Sequence, residues 1–229
     1  MSIYAIGDLH LSGTVNKPMD KFGRNWENHD QKIKKNWLKI ISEKDTVLIP
    51  GDISWGMTLE EAEIDLQYIN ELPGKKIFIR GNHDYWWKSV TKLNALYDNM
   101  YFLQNDFVPI EGFAVCGGRG WICPNDVKFT SHDQKIYERE EKRLRLSLQA
   151  AKKAKYERVI VMMHYPPTNE NLEPSIFTNL FEEFKVEKVV YGHLHGKDSF
   201  NFGLQGLYNG IEYKLVSSDY IDFMPVLIC

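Results

Sequence analysis

Three cysteines in 229 residues, Cys116, Cys123 and Cys229, are too few for a disulfide framework. None stands in a CxxC pair or at zinc-ligand spacing, which argues against dithiol redox chemistry and thiolate metal sites. A Cys116–Cys123 bridge is conceivable, but with no export signal free thiols are the expectation. Long hydrophobic runs are missing as well. The longest unbroken aliphatic stretch, Val159–Met163, is far too short to cross a bilayer. The first residues carry neither a basic segment nor the sustained apolar stretch of a signal peptide. These absences predict a cytoplasmic protein with no membrane partner. An excess of one charge is also lacking, since 28 Lys and Arg against 31 Asp and Glu leave a net −3. That balance offers no electrostatic footprint for non-specific DNA or RNA binding, so nucleic acid is not an expected partner. No repeat, low-complexity stretch or linker interrupts the chain. Residues 1–229 therefore read as a single domain, and 43% hydrophobic content is enough to fill its core.

The chain does have five short apolar runs, each ending in a burst of ligand-capable side chains. Ser2–Ile6 leads into Gly7-Asp8-Leu9-His10, and Thr46–Ile49 passes through Pro50 into Gly51-Asp52. Lys76–Arg80 ends in Gly81-Asn82-His83-Asp84. Arg158–Met163 leads into His164-Tyr165-Pro166-Pro167, and Lys188–Tyr191 into Gly192-His193-Leu194-His195. Five of the seven histidines follow strand-like runs in this way. Strand, tight turn, then polar groups is how an α/β sheet presents chemistry at the carboxyl ends of its strands. A single Gly-Asp is more often a turn than a ligand, so the inference rests on the set.

The rest of the chain supplies layers around those strands. Ile33, Trp37, Ile40 and Ile41 fall on one stripe of a helix that Asp30 is expected to cap. Thr58 and Glu61 read as a capping box opening a helix to about Asn70. Alternation of strand and helix over residues 1–80 implies βαβ units and a largely parallel sheet. Tyr85-Trp86-Trp87 leads into a predicted helix ending near Asp98, its tryptophans read as core ahead of a stacking platform. Phe113–Cys116 is a further strand, followed by a Gly-rich turn holding Arg119. Residues 133–155 form a charge-laced helix with Ile136, Leu144, Leu148 and Ala151 as its buried stripe. A shorter helix spans 174–184, Asn209-Gly210 marks a hairpin, and residues 225–228 add an edge strand. The long loop from Leu11 to His29, with Phe22 and Trp26, reads as a packed flap over a site, with a surface insertion as the alternative.

The five motifs in this order resemble the calcineurin-like metallophosphoesterase superfamily, whose pattern is D-x-H, G-D, G-N-H-D/E, a lone H and G-H-x-H. The resemblance spans residues 8–195, and within the superfamily the chain looks most like a group of predicted bacterial phosphohydrolases. It implies an α/β sandwich of two mixed sheets flanked by helices, with the active site at strand carboxyl ends. It also implies two divalent transition-metal ions. One would take Asp8, His10, Asp52 and His195, and the other Asp52, Asn82, His164 and His193, with Asp52 bridging. By the same resemblance His83 is not a ligand but protonates the leaving oxygen, with Asp84 orienting it. One departure stands out: protein phosphatases of the superfamily carry a phosphate-gripping arginine after the second motif, where this chain reads Ile53-Ser54-Trp55. Arg119 is the candidate replacement, a surface salt bridge its alternative, and Asn82 is a second candidate substrate contact.

Elementary chemistry agrees with the resemblance. Asp8 and His10 are two apart, so an extended backbone would aim both at one ion. Imidazole and oxygen donors without thiolate suit Mn, Fe, Zn or Co without choosing among them. Two divalent ions bring four positive charges, and Asp8 and Asp52 return two. The surplus attracts a phosphoryl oxygen, and a hydroxide bound to such a pair attacks phosphorus directly. The expected substrate is a small phosphate monoester or diester. A nuclease of the same superfamily and a non-catalytic metal-binding scaffold are the competing readings, and oligomeric state is left open.

Overall fold

A computed structural model of the chain describes residues 1–125 and 128–229. In chain order its elements are β1 (Ile3–Ala5), α1 (His29–Ile40), β2 (Thr46–Ile49), α2 (Leu59–Asn70), β3 (Lys75–Phe78), α3 (Val90–Leu93) and β4 (Met100–Phe102). There follow β5 (Phe107–Ile110), β6 (Phe113–Gly118), α4 (Ser131–Lys153), β7 (Arg158–Met163), α5 (Ile176–Glu183) and β8 (Lys188–Tyr191). The chain closes with β9 (Gly206–Tyr208), β10 (Ile211–Leu215) and β11 (Val226–Leu227). The described residues form two compact units, one of residues 1–102 with 216–229 and one of residues 103–215.

The first unit holds a sheet in the order β11-β1-β2-β3-β4. Strands β1 to β4 run parallel, with Ile3 beside Thr46, Thr46 beside Lys75 and Lys76 beside Met100. Only the edge strand β11 is antiparallel, pairing Tyr4 with Leu227. β2 is buried along its whole length, as a central parallel strand covered on both faces must be. Helix α1 buries Ile33 and Trp37 completely, and the Trp37 indole donates to the Pro73 carbonyl at 2.9 Å. Its cap differs from expectation. Asn28 in a left-handed conformation precedes the helix with no side-chain cap, and Asp30 lies in the first turn, where a negative charge still favours the helix dipole. The Thr58–Glu61 capping box opens α2 as the sequence predicts.

Two details correct the sequence reading. The helix expected after Trp87 shrinks to the four residues of α3, whereas Trp86 and Trp87 are core as the sequence predicts, 0% and 3% exposed. Strand β4, Met100-Tyr101-Phe102, is too short to show a period of its own, and it is recruited by pairing with β3.

The second unit holds a sheet in the order β5-β6-β7-β8-β10-β9. Its four inner strands are parallel and its two edges antiparallel. The β9–β10 hairpin turns on Asn209 and Gly210, both at positive φ, as a type I′ turn requires. Pro109 confirms β5 as an edge, since a proline cannot donate to a second neighbour. Helix α4 opens on a Thr130–Asp133 capping box and buries Leu144, Leu148 and Ala151. Ile136 is only half buried; Tyr137 takes that place in the stripe, and its hydroxyl accepts the Ile176 N–H at 2.9 Å. Cys116 and Cys123 are buried thiols with no bridge between them. No helix among the described residues is long and apolar enough to cross a membrane. Two mixed sheets flanked by helices make this an α/β fold, consistent with the class expected from the sequence.

Candidate metal centre

In the first unit the three neighbouring parallel strands β1, β2 and β3 end side by side, and each exit carries predicted ligands. The segments after β1 and β2 zip together: the N–H groups of Asp8, His10 and Leu11 donate to the carbonyls of Gly51, Asp52 and Ile53, each at 3.0 Å. The backbone at Asp8 and His10 is not extended, contrary to expectation. Asp8, His10 and Asp52 have φ of 55°, 46° and 53°, in the left-handed region. Such a conformation costs a non-glycine residue on the order of 1–2 kcal/mol, and it clusters where side chains must be re-aimed for function. All three side chains are buried, at 0%, 3% and 2% exposure, and His10 Nε2 lies 3.8 Å from Asp52 Oδ2. The other Asp52 oxygen accepts the His83 N–H at 2.8 Å. Gly81 makes that approach possible, because a β-carbon there would overlap the carboxylate and backbone nitrogen of Asp52. Ser218, outside every motif, steadies the turn from the far end of the chain. Its N–H and hydroxyl both donate to the Gly7 carbonyl, at 3.1 and 2.6 Å.

Asp84 has a task the motifs do not reveal. Its fully buried carboxylate accepts four main-chain N–H groups, from Asp52 (2.9 Å), Ile53 (2.9 Å), Ser54 (3.3 Å) and Gly81 (2.8 Å). It thereby sews the loop after β2 to the loop after β3. Asn82 and His83, between those anchors, are half buried.

Trp55 is the residue the sequence reading passed over. It lies in the stretch after the second motif, stacks on His10 at 4.9 Å and tilts against His83 at 4.4 Å. The segment from Leu11 to His29 packs around it, with Met19 and Trp26 buried and the Lys17 ammonium 5.1 Å from the Trp55 ring. Phe22, by contrast, is 69% exposed. The Gly13 N–H donates to the Asp65 carboxylate at 2.8 Å, and Ser54 Oγ donates to its other oxygen at 2.5 Å. Burial raises Asp65 above the ordinary carboxylate value despite those donors. Burial likewise lowers His29, although the carbonyls of His10 and Trp26 face its two ring nitrogens at 3.2 Å.

The second unit repeats the arrangement with another chemistry. Its neighbouring parallel strands β6, β7 and β8 lead into Arg119, into His164 and into His193 and His195. His164 is fully buried, and its Nε2 lies 3.3 Å from Nδ1 of His193, which adopts a left-handed φ of 74°. His195 is half buried. The Arg119 carbonyl accepts the N–H groups of His164 and Tyr165, at 3.2 and 3.0 Å. Its guanidinium lies 4.7 Å over the Trp121 ring and 3.4 Å from buried Glu140. Arg139 and Arg143 meet the same Glu140 oxygen, so three guanidinium groups surround one carboxylate. Carboxylate, amide and imidazole donors without thiolate fit borderline divalent ions.

An α/β protein whose parallel strands deliver oxygen and imidazole donors at their exits offers candidate ligands for divalent ions at those exits. The chain is a member of the calcineurin-like phosphoesterase family, whose model matches residues 1–197. It is 36% identical over 77 residues to the gene 66 protein of Mycobacterium phage L5, covering 34% of this chain and 37% of that one. A probable cyclic nucleotide phosphodiesterase of Ruthia magnifica subsp. Calyptogena magnifica is 25% identical over 182 residues, 74% of this chain and 70% of its own. The chain spans only 37–58% of the length of the first three curated relatives. In fold it is similar to a phosphopantetheinyl hydrolase from Mycobacterium tuberculosis, with a TM-score of 0.56, 14% identity and coverage of 99% of this chain and 95% of that one.

Proposed function

We propose that the protein is a metal-dependent phosphohydrolase acting on a small phosphate monoester or diester. What carries the reading is that all seven candidate ligands stand at the exits of parallel strands. Family membership, and relatives described as a phosphodiesterase and a hydrolase, point to the same chemistry. Asp8, His10, Asp52 and Asn82 from the first unit and His164, His193 and His195 from the second would hold two divalent ions, with Asp52 shared. Bound there, the ions would supply water activation at neutral pH and polarisation of the phosphoryl oxygens.

The chain's own residues do the rest. Asp52 stays fixed because its second oxygen is held by the His83 N–H. His83, next in sequence to ligand Asn82, gives a proton to the departing alkoxide, which otherwise leaves as a strong base. Asp84 keeps His83 in place through the loops that it ties, and Trp55 limits the swing of the ring. Arg119 takes a non-bridging phosphoryl oxygen, drawing on the surplus positive charge around Glu140. The complete ligand set separates this reading from that of a non-catalytic scaffold.

Elemental analysis and a panel of phosphate esters, cyclic nucleotides and single-stranded DNA, assayed with Mn²⁺ and with chelator, test the proposal. Two ions per chain and chelator-sensitive ester hydrolysis are expected, and Asp52→Asn should lose both. Full metal occupancy in Asp52→Asn would remove the shared carboxylate from the scheme. Hydrolysis confined to DNA would favour the nuclease.

A further inference from the structure

We infer that a cavity in the second unit, bordered by His193, receives the alcohol portion of the substrate and selects one that carries a planar aromatic or heteroaromatic ring. The inference rests on the phosphohydrolase reading, which makes His193 a ligand; a phosphoryl group held beside it would present its ester substituent to this cavity. The cavity measures roughly 430 Å³, within the size range of small-molecule sites.

Its walls are the argument for an aromatic guest. Ile122, Cys123 and Leu194 provide aliphatic and thiol surface, and Tyr165 and Phe202 contribute rings. Tyr165 is buried, and its ring lies 4.1 Å from that of His193, so one aromatic wall begins at the proposed ligand. Phe202 belongs to a single turn of 3-10 helix, Phe200–Phe202, and leaves 47% of its surface to water. A large exposed ring on a cavity wall is surface that a stacked guest would cover. Burial pushes the Cys123 thiol up to about 12, so it stays neutral and serves as wall, not nucleophile.

Asn125, Lys128, Asn169 and Glu170 add polar groups to the lining, with Asn125 donating to Glu170 at 3.0 Å and Asn169 to the Pro124 carbonyl at 2.9 Å, and Thr168 differs from these bonded amides. Thr168 is 4% exposed, and its buried hydroxyl has no hydrogen-bond partner among the described residues. Native interiors rarely leave such a group unmet, and a heteroatom on the guest would meet it. A cavity with two aromatic walls, a polar margin and an unmet hydroxyl suits a heterocycle better than a plain alkyl chain.

The test uses the metal-free full chain, so that it does not depend on turnover. Adenosine is titrated in, with ribose as the ringless control, and binding is read by protein NMR shifts. Saturable binding of adenosine but not of ribose is expected. Phe202→Ala should weaken adenosine about tenfold, a usual loss for one stacked aromatic. Thr168→Val, which keeps the shape of the side chain, should weaken it severalfold without lowering Tm. Equal binding of adenosine and ribose would overturn the inference, as would wild-type affinity in Phe202→Ala. If the metal-loaded protein hydrolyses alkyl phosphates while adenosine fails to bind, the cavity assignment falls and the phosphohydrolase reading stands. If adenosine binds but no ester is hydrolysed, that reading fails and takes the substrate role of the cavity with it.

Discussion

A carboxylate removed from water must be met by donors, and Asp84 meets four of them, all main-chain N–H groups. His83, its neighbour, is half buried, with its ring 4.4 Å from that of Trp55. The two residues should therefore fail differently. His83→Asn is expected to cost ~10²–10⁴-fold on an alkyl phosphate, the usual range for a lost general acid. The loss should be clearly smaller on a nitrophenyl ester, whose leaving group is a stable anion and needs little protonation. Asp84→Asn turns an NH₂ toward two N–H donors and should lower stability by ~1–3 kcal/mol, the cost of mismatched buried groups. It should also slow both esters alike, because it displaces Asp52 along with His83. Parallel rates on the two esters for His83→Asn, with metal content intact, would make that histidine a phosphate-positioning group.

Among the elements, the one that shapes the first unit's site least predictably is the segment between β1 and α1. It has no regular structure beyond two short 3-10 turns, yet Gly13 anchors it to Asp65 of α2, and Asp65 also holds Ser54 beside Asp52. Asp65 supplies a pH test of that tie. Its folded-state value is raised by burial, so the folded protein holds the proton more tightly than the unfolded chain. The stability it contributes is complete below the ordinary carboxylate value of about 3.9 and is lost as pH rises through the raised value. An asparagine at this position would carry no such dependence while keeping one acceptor and gaining one donor. Asp65→Asn should therefore gain in Tm relative to wild type as pH goes from about 4 to 7. A constant difference across that window would show that Asp65 ionises freely. The strands were legible element by element because their β-branched runs end in glycine or polar turns; Thr46–Ile49, Arg158–Met163 and Lys188–Tyr191 fall where the pattern puts them. What escaped was set by contacts distant in sequence. β4 exists by pairing with β3, Trp55 matters because two histidines fold against it, and Ser218 reaches back to Gly7. The left-handed backbone at Asp8 and His10 escaped too, since the hydrogen bonds to the Gly51–Ile53 segment that help offset its cost are distant in sequence.

For the molecule as a whole, the decisive feature is how the charge of the candidate ligands is divided between the two units. Of the candidate ligands, the first holds both carboxylates, Asp8 and Asp52, and the second three imidazoles and no carboxylate. A cation is drawn to carboxylates, so the first unit alone could retain an ion weakly, whereas three neutral imidazoles give a second ion little electrostatic hold. If the two sets serve one centre, as proposed, His195 completes the coordination of the ion held by Asp8 and His10. His195→Ala should then weaken that ion although every first-unit ligand is untouched. The expected result is a fall from two ions to one or fewer on elemental analysis. It should be accompanied by loss of most of the thermal stabilisation that Mn²⁺ gives the wild type. An ion present at 100 times its Kd stabilises by about 2.7 kcal/mol, which raises the Tm of a chain this long by roughly 5–10 °C. Calorimetry with and without Mn²⁺ on wild type, His195→Ala and Asp52→Asn measures all three terms. Were His195→Ala to keep the full metal-induced shift while Asp52→Asn lost it, the first unit would be binding metal by itself. The second unit's histidines would then need another task.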